Sequence, residues 1–122
     1  MVVDDDASAR KGLTRALAEN GFDVAEAANG VEAISVYGDF RPDMVFMDVT
    51  MPGMDGLAAL AEIKTLDPNA KVAMIIVMGQ QALVLVALKA GAVDFVIKPL
   101  DEKQILDAIK KALSPPNRVR KI

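Results

Sequence analysis

Met44-Val45-Phe46-Met47 presents four consecutive apolar side chains, then Asp48, then a break at Pro52-Gly53. Such a run has no polar face. It requires cover on both sides, as for a central strand of a parallel sheet. A strand placed there delivers Asp48 to its carboxyl end. In open α/β sheets that lip is where ligands collect, in the crevice beside the helix amino termini. A single aspartate at such a point is more often a helix cap or a solvated strand end. Two further strand ends change the weighting. Val2-Val3 runs into Asp4-Asp5-Asp6, and Phe95-Val96-Ile97 runs into Lys98-Pro99. Strand ends therefore supply acid, acid and base.

The segments between these runs have helical spacing. Ala9, Leu13, Ala16 and Leu17 predict a helix over Ala7 to Asn20, stopped by Asn20-Gly21. Phe22 to Ala27 alternates as a half-exposed strand. Val31 to Tyr37 reads as a short helix closed by Gly38, and Arg41-Pro42 precedes the central strand. Asp55 is placed to cap a helix over Gly56 to Leu66, which Asp67-Pro68 stops. Lys71 to Val77 is the next strand, Gln80 to Ala90 a helix ending at Gly91, and Ala92 to Ile97 a strand. Asp101 with Gln104 has the pattern of a capping box for a last helix through Leu113. Strands alternating with helices of this length specify right-handed βαβ units, hence a doubly wound, five-stranded α/β parallel sheet with helices on both faces.

Length and composition bound the rest. With 122 residues the chain fits one domain, here residues 1–113, followed by a polar, basic, proline-broken tail over 114–122 that reads as a frayed end or linker stump. A net charge of −3 argues against nucleic acid as the main partner. The absence of cysteine and histidine removes thiolate chemistry, the usual zinc ligands and the usual general base. The chain opens with acids rather than a basic, apolar leader and has no membrane-length apolar run, so a cytoplasmic location is expected.

Acids from the first and third strands meet over the sheet edge if those strands are neighbours. Clustered carboxylates repel unless a cation neutralises them, and a hard oxygen set suits Mg2+. A lysine opposite suits an incoming phosphate-containing anion.

With Val3-Asp4-Asp5, Met47-Asp48-Val49-Thr50-Met51-Pro52-Gly53-Met54-Asp55-Gly56, Met78-Gly79-Gln80-Gln81, Lys89-Ala90-Gly91-Ala92 and Phe95-Val96-Ile97-Lys98-Pro99-Leu100 in this order, the chain resembles a receiver domain of two-component response regulators, close to single-domain chemotaxis regulators. The likeness spans about residues 2 to 113. It implies the flavodoxin-like strand order 2-1-3-4-5 and a phosphoacceptor role for Asp48, supplied by a histidine kinase. It further implies Mg2+ held by Asp4, Asp5, Asp48 and the backbone carbonyl of Thr50, Lys98 on the phosphoryl oxygens, Phe95 as an aromatic switch, and Pro99 after a cis peptide. Asp4-Asp5 are aligned with the family's acid pair because Arg10 then falls at its usual place, leaving Asp6 as an extra charge. The resemblance implies no enzyme beyond self-phosphorylation and its reversal.

Three departures stand out. Ile76 occupies the switch position where the family has Ser or Thr, and it cannot donate the hydroxyl hydrogen bond to a phosphoryl group. Leu83, Val84, Leu85, Val86 and Leu88 clothe most of the helix Gln80 to Ala90, which predicts a docking or dimer face together with the strand Ala92 to Ile97. Met1-Val2-Val3 is also a stub for a strand in the middle of a sheet, so stability suffers unless another segment compensates. A competing reading is accordingly a receiver-fold interaction or dimerisation module whose phosphorylation switching is impaired, and the departures fit an engineered receiver as well as a natural divergent one. An aspartyl-phosphate hydrolase is disfavoured, because Thr50 stands where such enzymes resemble a pattern with a second acid.

Overall fold

In the computed structural model, which describes residues 1–115 and 118–122, a five-stranded parallel sheet of order β2-β1-β3-β4-β5 is covered by helices on both faces. The elements are β1 (Val2–Val3), α1 (Ala7–Glu19), β2 (Glu26–Ala27), α2 (Gly30–Phe40), β3 (Val45–Asp48), α3 (Gly56–Leu66), β4 (Val72–Ile76), α4 (Ala82–Lys89), β5 (Asp94–Ile97) and α5 (Glu102–Ala112). Fold class and strand order agree with the expectation.

Successive residues of a strand point to opposite faces, and the two cores divide accordingly. Val45 and Met47 of β3, with Val3, Val72, Met74 and Ile76, pack against α2, α3 and α4. Met44 and Phe46, with Val2, Ala73, Ile75 and Val96, pack against α1 and α5. Phe46 is fully buried, a burial that contributes about 1.5–3 kcal/mol. The continuous apolar run of β3 is thus explained by cover on both sides.

Helix ends follow side-chain chemistry. The Asp55 carboxylate accepts from the Ala58 N–H at 2.8 Å, as expected for the cap of α3. Asp101 accepts from the Gln104 N–H at 2.6 Å, but the Gln104 amide does not reach back to close the box. It bonds both the N–H and the C=O of Ile97 instead, tying α5 to the end of β5. Gly38 does not close α2. The helix runs on to Phe40 and stops at Arg41, whose left-handed backbone (φ 52°) precedes Pro42. A helix interior tolerates one glycine at a cost of about 1 kcal/mol, whereas proline removes the next donor.

The end of the chain corrects the tail reading. Arg120–Ile122 is not frayed: Ile122 is fully buried, and its N–H donates to the Asp23 C=O at 2.8 Å. Arg118 makes a bidentate pair with Asp43 at 2.9 and 2.6 Å, which holds that carboxyl below the usual carboxylate range. The part of the tail reading that concerns Pro116 and Asn117 lies outside the described residues.

Candidate functional site

The carboxyl ends of β1, β3 and β5 lie near one another because β1 and β3 are direct neighbours, with Val3 opposite Met47, and β4 alone separates β3 from β5. This register brings Asp4, Asp48 and Lys98 to one point on the lip. Lys98 Nζ lies 3.0 Å from Asp4 Oδ2 and 3.4 Å from Asp48 Oδ2. Carboxylate oxygens of Asp4, Asp5 and Asp48 all fall within 4.8 Å of one another. Asp4 is buried, Asp48 is largely buried, and Asp5 is open to solvent.

Each acid is held by its own backbone environment. Asp4 Oδ1 accepts from the Asp6 N–H at 2.9 Å, and the Asp4 carbonyl accepts from Arg10 Nη1 at 2.8 Å. Arg10 is in turn fixed by Glu26 at 3.0 Å. Asp48 Oδ1 accepts from the Thr50 N–H at 3.1 Å, which sets the rotation of the carboxylate.

Burial pushes the Asp48 carboxyl above its ordinary range, with the Asp4 charge adding to it and the Thr50 N–H and Lys98 opposing. Desolvation works against the Lys98 ammonium, but its hydrogen bond to Asp4 and the charges of Asp48 and Asp4 outweigh it, so its pKa is raised. Lys98 therefore stays charged and offsets only part of the negative charge around it.

Asp6, third in the acid run, has a different task. Its carboxylate accepts from the Ser8 N–H at 2.9 Å and the Ala9 N–H at 3.3 Å, capping α1. The acid cluster omits it. Asp6→Ala is accordingly expected to cost about 1 kcal/mol of stability while changing the affinity of the acid cluster for any divalent cation less than about twofold, since screening weakens an exposed charge outside the cluster. Paired denaturation and calorimetric titration measure both.

The remaining predicted residues are placed around this cluster. Ile76 ends β4 and is fully buried, and its carbonyl accepts from the Lys98 N–H at 2.8 Å. Phe95 is half-buried against the same core as Ile76. The Lys98–Pro99 peptide is cis, as expected.

Gln80, read from the sequence only as part of a motif and as a helix start, also has a part at the site. Its Oε1 accepts from the Val77 N–H at 2.9 Å and its Nε2 donates to Thr50 Oγ1 at 2.8 Å, linking the loop after β4 to the loop that carries Asp48. Its position just past a strand end, at the same lip, was the available signal.

α4 exposes Leu85, Val86 and Leu88, and Val77, Met78 and Val93 in the segments on either side of it are exposed as well. Leu83 and Val84 turn inward. Among the described residues, no helix is long and apolar enough to cross a membrane.

A doubly wound parallel sheet with three carboxylates and a lysine gathered at its lip defines a flavodoxin-like α/β domain whose site lies at the carboxyl ends of the strands. The family model for the response regulator receiver domain matches residues 1–110, and the chain belongs to that family. It is similar to the chemotaxis protein CheY of Bacillus subtilis (strain 168), 47% identical over 115 residues, covering 93% of this chain and 96% of the relative. Among solved structures, the receiver domain of NtrX from Brucella abortus superposes with a TM-score of 0.87 at 32% identity, covering 91% of this chain and 94% of that one. A CheX–CheY–BeF3–Mg2+ complex from Borrelia burgdorferi gives 0.84 at 39% identity, covering 90% of this chain and 84% of that one. The protein is a CheY-like receiver domain of two-component signalling and not a conventional enzyme.

Proposed function

We propose that Asp48 is the residue phosphorylated in this receiver, in a reaction that requires Mg2+ bound by Asp4, Asp5, Asp48 and the backbone carbonyl of Thr50. The convergence of these carboxylates with Lys98 at one point carries the reading. An all-oxygen, multiply anionic donor set with a solvent-open side fits Mg2+. Bound there, Mg2+ would neutralise the acids and stabilise charge on the phosphoryl oxygens.

The chain's own residues supply the rest. The Thr50 N–H holds the Asp48 carboxylate in one orientation. A free oxygen of that carboxylate attacks phosphorus in line with the departing group, which for a histidine kinase donor is an imidazole nitrogen that keeps the electron pair of the broken bond. Lys98 neutralises the oxygens that arrive. The related Borrelia complex, with CheY, BeF3 and Mg2+ together, supports this arrangement. The cytoplasm is the location this reading implies.

Ile76 favours a second reading of the response to phosphorylation. It offers no hydroxyl at the end of β4, so chemistry at Asp48 is coupled weakly or not at all to Phe95. The apolar face of α4 and β5 then serves as a contact surface, for a second copy or an output protein, whether or not the site is phosphorylated.

Incubation with Mg2+ and a small phosphodonor, followed by intact mass, tests both readings. Gain of one phosphoryl group that disappears in Asp48→Asn supports the acceptor assignment, and an unphosphorylated yet folded, Mg2+-binding protein refutes it. Assembly measured by light scattering in the same samples separates the second reading. It predicts the same oligomeric state with and without phosphorylation.

A further inference from the structure

We propose that the central strand of the sheet is assembled from both ends of the chain. Arg120–Ile122 forms its beginning, seated in a peptide slot between β2 and β3, and Met1–Asp4 forms the continuation that carries the acids of the site.

On the β2 side the hydrogen-bond register supports this without a gap. Lys121 pairs in parallel with Asp23, and Val2 pairs in parallel with Glu26. From Asp23 to Glu26 is three residues, and from Lys121 through Ile122 and Met1 to Val2 is also three. The ladder is continuous across the junction. The Asp23 N–H donates to Arg120 O at 2.9 Å, Ile122 N–H to Asp23 O at 2.8 Å, Ala25 N–H to Ile122 O at 2.9 Å and Val2 N–H to Ala25 O at 2.8 Å. This is the alternation of a single parallel strand, in which every second residue both donates to and accepts from its neighbour.

The β3 side agrees. The Asp43 N–H donates to Lys121 O at 2.8 Å, the Met1 ammonium donates to Met44 O at 2.8 Å, and the Phe46 N–H donates to Met1 O at 2.9 Å. At the outer end the Asp43 carboxylate accepts from the Lys121 N–H at 2.9 Å. Pro42 precedes it and has no N–H to offer. The side chains match too: Ile122, Met1, Val2 and Val3 are all buried, and they alternate between the two cores, Ile122 and Val2 in one and Met1 and Val3 in the other. Across the junction, Ile122-Met1-Val2-Val3-Asp4 repeats the pattern of Met44-Val45-Phe46-Met47-Asp48.

A strand built this way accounts for two features otherwise hard to explain. Burial pushes the Met1 ammonium well below its ordinary value, a cost that a strand interior would not incur if a peptide nitrogen stood there. The short β1 also gains the ladder bonds whose loss the stub implied. Arg118 on Asp43, and Lys121 Nζ on the Phe40 carbonyl at 3.0 Å, anchor the segment at the slot's entrance.

Two measurements test the proposal. In the unaltered chain, hydrogen exchange is expected to show the amides of Asp23, Ala25 and Ile122 protected to within about tenfold of Phe46, since one strand opens as a unit. Free exchange at Asp23 and Ala25 would mean that the segment is undocked. The second uses a rearranged chain containing every residue, beginning at Ser114, passing from Ile122 directly into Met1 with no inserted residue, and ending at Leu113. Because an amide N–H replaces the buried ammonium, it is expected to fold to the same structure, keep Mg2+ binding and melt several °C higher. An unfolded or less stable product overturns the proposal, because a peptide bond fits there only if the two ends meet in register.

Discussion

Asp48→Asn is expected to end phosphoryl acceptance completely and, in the absence of divalent cations, to raise the melting temperature. The first effect comes from chemistry, since an amide oxygen is too weak a nucleophile to take the group. The second comes from the site's electrostatics. Asp48 lies in a largely buried position beside Asp4, and both desolvation and the like charge work against its ionised form. Asparagine keeps an oxygen for the Thr50 N–H, and Lys98 keeps its shorter contact with Asp4 at 3.0 Å. Only the longer contact at 3.4 Å is lost. A gain on the order of 1 kcal/mol corresponds to a few °C in a domain of this size.

The pH dependence gives the sign independently. A carboxyl whose pKa is raised on folding stabilises the fold below its unfolded value, and that contribution is lost as pH rises through the raised value. The variant lacks this loss. Its advantage over the parent should be small near the ordinary carboxylate pKa and grow to a plateau above the raised one. Mg2+ is expected to reverse the comparison, because the proposed site loses a charged ligand in the variant and the parent then gains more stability by mass action. Thermal melts of both proteins from acid to neutral pH, with and without Mg2+, measure all of this. A variant less stable than the parent in chelator at neutral pH contradicts the account.

Much of this site was legible because strand ends announce themselves. An apolar run that terminates in a charge fixes both the strand and the lip residue, and β1, β3 and β5 each carry that signature. The roles of Asp4 and Asp6 were harder to separate, since adjacent acids look alike until the turn of α1 takes one as its cap. Gly38 misled because glycine ends helices only when the next residues do not continue the turn, and here the stop belongs to Arg41 and Pro42. The tail misled for a related reason. Proline and basic residues dominate its composition, yet Ile122 is buried in the core that also takes Val2, from the far end of the sequence. The stub at β1 and the unassigned isoleucine were complementary signals, and no local window contains both.

Gly56→Ala is expected to be the most damaging methyl group that can be added near the site. Gly56 is the first residue of α3, and a Cβ there would overlap the Asp48 carbonyl oxygen and lie 2.8 Å from the Val49 Cα. Both obstacles are backbone atoms of the β3 end, so no side-chain rotation relieves the clash. Either α3 retreats, breaking the 3.1 Å bond from the Gly56 N–H to the Val49 carbonyl, or the β3 end shifts and takes Asp48 with it. Overpacking of this kind costs about 1–3 kcal/mol or more. Gly12→Ala is the control: within α1, with nothing inside 4 Å of the added Cβ, it should stabilise the protein by roughly 0.5–1 kcal/mol. Chemical denaturation separates the two in sign. Phosphorylation rates measured on the folded fraction then show which element yields, for a slower reaction in Gly56→Ala means that β3 moved and an unchanged one means that α3 did. A Gly56→Ala protein as stable as its parent would show that α3 does not press on the Asp48 backbone.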